Sequence, residues 1–181
     1  MPDTHDPRFL KLQKQREDVP SCTVAFVRAW LAGTIAGGGP FSVVTTWIAI
    51  EMWQSSLWPQ LLLLSVVPLL VAAVVCLIGM FAIALPATRL LRDRRAESIG
   101  AYLKIGGIGG AALSAGLYAL TCIILMSPDV IFPALLIYVG TGLLGGLAAA
   151  FVWGRHRKQL AYLRASTPRD REPNPIHELL H

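Results

Sequence analysis

Apolar residues along the chain gather into four long stretches separated by short polar segments. Each stretch is 22 to 25 residues long. At ~1.5 Å of rise per residue, a helix of that length covers the ~30 Å hydrocarbon core of a bilayer. The pattern therefore predicts an all-α integral membrane protein with four transmembrane helices. The predicted spans are residues 29–50, 61–85, 105–126 and 130–153.

The positions of the basic residues give the expected orientation of these spans. All 16 Lys and Arg residues lie before the first span, between the second and third, or after the fourth. The two remaining connections carry only Glu51 and Asp129 as charged residues. Because Lys and Arg are retained on the cytoplasmic side, this bias predicts a multi-pass protein of the inner (plasma) membrane with both termini in the cytoplasm.

This topology divides the chain into three regions. Residues 1–23 form a charged N-terminal tail, residues 24–154 hold the four spans, and residues 155–181 form a C-terminal tail. The outer connections are short, so the spans that they join are expected to be antiparallel neighbours. The predicted fold is an antiparallel four-helix bundle.

The charge balance indicates which partners the cytoplasmic side attracts. That side carries 16 basic residues and, after Glu51 and Asp129 are subtracted from the 11 acidic residues, 9 acidic ones, which gives a formal charge of +7. A basic surface beside a bilayer attracts anionic lipid headgroups. No basic groove with interleaved aromatic residues accompanies it, so nucleic-acid binding is not expected.

Small residues recur at intervals of four in three of the spans. Residues four apart share one helix face, and small side chains there let two backbones approach closely. The simplest expectation is packing within the chain, with the third span against the fourth. The alternative is an interface with a second copy or with another membrane protein. The glycines in these stripes are Gly33, Gly37, Gly106, Gly110, Gly142 and Gly146.

The sequence Gly37-Gly38-Gly39-Pro40 falls near the middle of the first span. Three glycines disfavour a helix, and Pro40 removes one backbone hydrogen bond. We expect a kink whose free carbonyls are capped by nearby hydroxyl groups. The alternative is a break in the helix that lines a binding site or a pore, as unwound segments do in many transporters.

Two prolines and a serine give further expectations. Pro68 lies inside the second span and predicts a kink there. The helical pattern continues past Pro86 to Leu91, which predicts a helix that leaves the membrane. Ser98 is expected to cap the N-terminus of the third helix.

The spans contain no Asp, Glu, Lys, Arg or His. Proton- and ion-coupled transporters usually keep an ionisable residue within the membrane, so a coupled pump is not expected. Asp93 and Glu97 lie near several arginines in the connection between the second and third spans. These charges are expected to be solvated at the helix ends; the alternative is that they form a site.

The sequence from His177 to His181 matches the zinc-binding pattern H-E-x-x-H. No third ligand follows His181, and Pro173 and Pro175 leave too short a helix to hold the ligand geometry. We therefore expect no metal, no cofactor and no catalytic residue.

The sequence favours a non-catalytic accessory, scaffold or subunit that acts through helix–helix contacts. The alternative is a passive homo-oligomeric channel or small transporter lined by the Gly37–Pro40 break, and a membrane enzyme is a distant third. The favoured function predicts that Gly38→Ala combined with Pro40→Ala is tolerated. The channel predicts that the same double change abolishes flux.

Overall fold

The computed structural model describes residues 19–52, 57–93, 97–124 and 132–166. Helices make up nearly all of these residues, and no strand occurs among them. A π-helical turn at Met80–Ala84 joins the second helix to the third. The α-helices are α1 (Cys22–Glu51), α2 (Trp58–Gly79), α3 (Leu85–Asp93), α4 (Ile99–Ile124) and α5 (Phe132–Ser166).

Three helical segments are long and apolar enough to cross a membrane: Trp58–Arg92, Ile99–Ile124 and Pro133–Leu163. Such segments are characteristic of a membrane protein. Helix α1 has 30 residues, which is also long enough. It is not one of the three because its glycines, hydroxyl residues and Pro40 lower its mean hydropathy.

The helix ends follow from local capping. The Ser21 side chain accepts a hydrogen bond from the backbone N–H of Val24 at 3.4 Å and caps α1. The Ser98 hydroxyl accepts from the N–H of Ala101 at 3.2 Å, which confirms the predicted cap of α4. Pro59 stands in the first turn of α2, where its missing N–H leaves no hydrogen bond unmade.

In the second predicted span, the hydrogen-bonding pattern departs from that of an α-helix just before Pro86, at Met80–Ala84. Helix α2 stays α-helical through Pro68. The π-helical turn ends two residues before Pro86, and α3 then continues to Asp93, as the sequence predicts. A proline ring in a regular helix clashes with the carbonyl four residues earlier. A widened turn just before Pro86 relieves that clash, whereas Pro40 and Pro68 lie inside α-helices that have no such turn before them.

Helix α1 packs against α2 on one side and against α5 on the other, and α5 packs against α4. Helix α2 makes few contacts with α4 or α5. The buried apolar cluster lies towards the end of the helices that carries Arg28, Arg89, Lys104 and Arg155, called the charged end below. Its members are Ala25, Ala29, Met80, Leu91, Tyr102, Ala149 and Trp153.

Several expectations fall outside the described residues. These include most of the N-terminal tail, the outer connections at residues 53–56 and 125–131, and the H-E-x-x-H sequence with the rest of residues 167–181.

The helices extend past the predicted spans: α1 begins seven residues before residue 29, and α5 continues well beyond residue 153.

Candidate functional site

Four glycines bring the backbones of α4 and α5 together. A methyl carbon added at Gly106 would lie 2.7 Å from the carbonyl oxygen of Gly146, too close for any side chain. A methyl carbon at Gly110 would overlap the carbonyl oxygen of Gly142. The two predicted small-residue stripes therefore face each other inside this chain. They leave no room for another helix between them.

The glycines of α1 separate into packed and unpacked positions. A methyl carbon at Gly33 would lie 3.0 Å from the Gly145 carbonyl oxygen on α5, and one at Gly38 would lie 2.8 Å from the Pro68 carbonyl oxygen on α2. Gly37 approaches the Thr141 carbonyl oxygen of α5 at 3.4 Å by the same measure. A methyl carbon at Gly39 would contact only the side chain of Ile35 in its own helix.

Helix α1 is continuous from Cys22 to Glu51 with Pro40 inside it. The alternative of a helix break at Gly37–Pro40 is therefore absent from this structure, and the expected kink stays a prediction. Tertiary contacts explain the difference, because α2 and α5 hold α1 along Gly33, Gly37 and Gly38. Pro40 itself is exposed on the outer surface of the helix.

A cavity of about 330 Å³ lies between α1, α2, α4 and α5. Gly33, Gly37 and Gly38 line it on the α1 side, whereas Gly39 and Pro40 do not. Most of the remaining lining is small or apolar. Residues that line it from α2 through α5 include Val67, Ala72, Val75, Cys76, Met80, Ile83, Ile105, Leu113, Gly142 and Ala149.

The charged end of the cavity is closed by aromatic side chains. Trp153 and Tyr102 line the cavity there and are only 2 % and 4 % exposed. The indole Nε1 of Trp153 donates a hydrogen bond to Thr88 Oγ1 at 2.9 Å. Thr88 Oγ1 in turn donates to the carbonyl oxygen of Ala84 at 2.7 Å. This chain of hydrogen bonds ties α5 to the segment that follows the π-helical turn.

A buried ion pair lies beyond Trp153. The Arg157 guanidinium Nη2 donates to Glu97 Oε1 at 2.6 Å, and the two side chains are 9 % and 10 % exposed. Glu97 is therefore not a solvated charge, and that expectation is corrected. The loop before α4 turns its carboxylate towards α5, where the guanidinium compensates it. Asp93 is the last residue of α3, and its side chain lies outside the described part of the structure.

His156 packs beside this pair. Its ring lies with its centroid 5.9 Å from that of Trp153, and neither ring nitrogen has a hydrogen-bond partner. We call the group formed by Thr88, Glu97, Tyr102, Trp153, His156 and Arg157 the polar cluster.

Sequence reasoning did not find the polar cluster. Glu97 and Arg157 are 60 positions apart, and no local pattern joins them. The spacing of Trp153, His156 and Arg157, at i, i+3 and i+4, does place them on one face of a helix. That amphipathic signal was available in the sequence, but it gives no indication of which residue lies opposite.

Within the part of the chain that the structure describes, no group of three or more His, Cys, Asp or Glu residues is placed to hold a metal ion. In the polar cluster, Trp153 donates to Thr88 and Arg157 pairs with Glu97, whereas the Tyr102 hydroxyl and both ring nitrogens of His156 are buried without a hydrogen-bond partner. The cavity offers a mainly apolar surface. The arrangement can bind an apolar group and close one end of its own cavity. Comparison with known proteins gives no relative: no family model, no curated protein and no solved structure matches the chain.

Proposed function

We propose that this chain is a non-catalytic, multi-pass protein of the inner (plasma) membrane that serves as an accessory, scaffold or subunit through helix–helix contacts. Its helices form an antiparallel four-helix bundle with both termini in the cytoplasm. The order of contacts supports this arrangement: Gly33 approaches Gly145, whereas the later Gly37 approaches the earlier Thr141. The charged end carries the basic residues that are retained in the cytoplasm and attract anionic lipids.

The observation that carries the proposal is how little α2 buries within its own chain. It belongs to the most apolar of the three segments that are long and apolar enough to span a membrane, yet Ser65 is its sole buried residue. Leu63, Leu70 and Val74 are each more than half exposed. Their spacing of seven and four places them on one stripe of the helix. A stripe of this kind is available to a helix of another membrane protein.

Site-specific photo-cross-linking in the native membrane tests this proposal. A benzophenone amino acid replaces Leu70 or Val74 on the outward stripe. The matched control carries the same group at Val75, which lines the cavity. We expect a discrete cross-linked band to a second protein from the outward positions, and cross-links within the chain from Val75.

The identity of the cross-linked molecule distinguishes the accessory role from the alternatives. A defined heterologous partner identified by mass spectrometry supports the accessory role. A ladder of cross-linked copies of this chain would favour the homo-oligomeric channel, and flux into liposomes would be the next measurement. Labelling of lipid alone from both outward positions would count against a role based on helix–helix contacts.

A further inference from the structure

The cavity is long and narrow. Its lining on the second span extends from Val67 to Ala87, and on α4 from Tyr102 to Leu117. At ~1.5 Å per residue, those distances correspond to roughly 30 Å and 22 Å along the helices. A volume of about 330 Å³ spread over such a length is a slot parallel to the helices and not a rounded pocket.

Two hydrogen-bonding groups that line the slot are used by the protein itself, and among the described residues that line it only the Tyr102 hydroxyl, at the charged end, is buried without a partner. Thr141 Oγ1 donates to the carbonyl oxygens of Ile137 and Tyr138 at 3.1 and 3.0 Å. The Trp153 indole is bonded to Thr88. A polar guest would lose its water and gain few partners in return, which costs free energy. The lining therefore selects an apolar guest.

Three of the four sides of the slot are closed by close backbone contacts. These are the α1–α2 contact at Gly38, the α1–α5 contact at Gly33, and the α4–α5 contact at Gly106. In each, a methyl carbon added at the glycine would lie within 3.0 Å of a carbonyl oxygen of the neighbouring helix. A guest does not enter through contacts this tight.

The fourth side is the line along which α2 and the π-helical turn meet α4, called the α2–α4 seam below. It is bridged by side chains: Leu113 of α4 lies against Gly79, and Ile83 lies against Gly109 of α4. All four residues fall within the predicted spans, at the depth of the hydrocarbon core. The Leu113 and Ile83 side chains can move aside by changing rotamer. A lipid tail can therefore enter the slot through this seam.

Basic residues lie at the charged end of the two helical segments that form the α2–α4 seam. Arg89 and Arg92 on α3 and Lys104 on α4 are exposed. Basic residues near the membrane surface attract anionic lipid headgroups. An apolar slot between two helical segments that carry basic residues at one end matches the two parts of one molecule, an acyl chain and an anionic headgroup.

We propose that the slot holds one acyl chain of an anionic phospholipid, which enters through the α2–α4 seam and places its headgroup against Arg89, Arg92 and Lys104. The cavity volume is in the range of about 300–1,000 Å³ that bound small molecules occupy. Trp153 and Tyr102 close the slot at its charged end, so the chain lies above the polar cluster. This inference rests on the cavity and does not depend on a protein partner at the outward stripe of α2.

The test uses the full-length protein in phosphatidylcholine vesicles that contain a minor share of phosphatidylglycerol. The phosphatidylglycerol carries a diazirine near the end of one acyl chain, and the label is located by peptide mass spectrometry. We expect labelled residues on the cavity lining, such as Val75 and Leu113. The same probe on phosphatidylcholine is expected to label the lining less and the outward surface equally.

A matched pair of substitutions separates the slot from the outer surface. Val75→Phe fills the slot, whereas Val74→Phe places the same ring on an outward position one residue away. We expect Val75→Phe to lower labelling of the lining about tenfold, equivalent to ~1.4 kcal/mol, and Val74→Phe to leave it unchanged. Ile105→Phe and the exposed Ile108→Phe repeat the comparison on α4, in case Val75→Phe does not fold.

The headgroup is tested with the combined change Arg89→Gln, Arg92→Gln and Lys104→Gln. We expect the lining to remain labelled while the preference for phosphatidylglycerol over phosphatidylcholine disappears. Equal labelling of the lining in wild type and in a folded slot-filling variant would overturn the proposal, as would equal labelling by the two lipids in wild type. A benzophenone at Leu113 that captures a second protein in native membranes would show that a protein helix occupies the seam, and would also overturn it.

Discussion

The role of each glycine depends on what lies opposite, and this differs between glycines of the same helix. Gly110 and Gly116 are both in α4. A methyl carbon at Gly110 would overlap the Gly142 carbonyl, whereas nothing lies within 4 Å of such a carbon at Gly116. The close approach of the α4 and α5 backbones therefore requires glycine at position 110. It does not require glycine at position 116.

This contrast predicts opposite effects of one substitution at two positions. Gly110→Ala should lower the free energy of unfolding by about 1–3 kcal/mol, because the α4–α5 contact must open to admit the methyl group. Gly116→Ala should raise it by roughly 0.5–1 kcal/mol through helix propensity. Unfolding in a detergent titration, followed by circular dichroism, measures both. Equal effects of the two changes would contradict the packing of Gly110.

The ion pair between Glu97 and Arg157 gives a second prediction at this scale. Glu97→Gln leaves the guanidinium without its counter-charge in a nearly buried position, so we expect a loss of about 3 kcal/mol of stability, the lower end of the range for such pairs. The exposed Arg155→Gln should change stability by less than about 0.5 kcal/mol. The double change Glu97→Leu with Arg157→Met should recover much of the loss. If it does not, the pair has a role beyond charge compensation.

Individual helices follow their tertiary contacts more closely than their local propensity. Helix α1 contains three successive glycines and a proline, yet it is continuous over 30 residues. The residues that disfavour a helix are also the residues that let α2 and α5 approach it. In the second span, by contrast, the backbone departs from α-helical geometry before Pro86, where a wider turn accommodates the ring.

Gly38 and Pro40 belong to the same Gly37–Pro40 segment of α1, but replacing each alone should change the stability in opposite directions. Pro40→Ala restores a backbone hydrogen bond on the exposed side of the helix and should raise stability. Gly38→Ala brings a methyl carbon to 2.8 Å from the Pro68 carbonyl oxygen and should lower it, so the tolerance of this change within the double variant that the sequence predicts is corrected. Detergent unfolding of each single variant measures the effects. A similar loss of stability in both variants would contradict the difference between the packed Gly38 and the exposed Pro40.

For the whole molecule, the proposed orientation can be tested with single cysteines. In a variant without Cys22, Cys76 and Cys122, new cysteines replace the exposed Gln60 and Lys158 in turn. A membrane-impermeant maleimide added to intact cells should label the cysteine at position 60. It should label that at position 158 only after the membrane is permeabilised. Labelling in the reverse order would invert the topology and contradict the charge rule.

The helices of this protein could be predicted from sequence because helix length and cap residues are local signals. Ser98 caps α4 as expected, and the helix past Pro86 is present. The cavity could not be predicted, because it depends on which helices touch. The Glu97–Arg157 pair was missed for the same reason, since its partners are 60 positions apart. The break at Gly37–Pro40 was considered because local propensity does not include the contacts that support α1.

Helix α1 contacts both α2 and α5, which makes the first helix a neighbour of the last. The 80 residues at positions 52–131 separate the two helices. At a synthesis rate of about 5–20 residues per second, the ribosome needs roughly 4–16 s to make them. During that interval α5 does not yet cover the face of α1 at Gly33 and Gly37. In the nascent chain, α1 therefore has only α2 as a packing partner until α5 has been made. Until then, another helix with small residues can compete with α5 for the same face of α1.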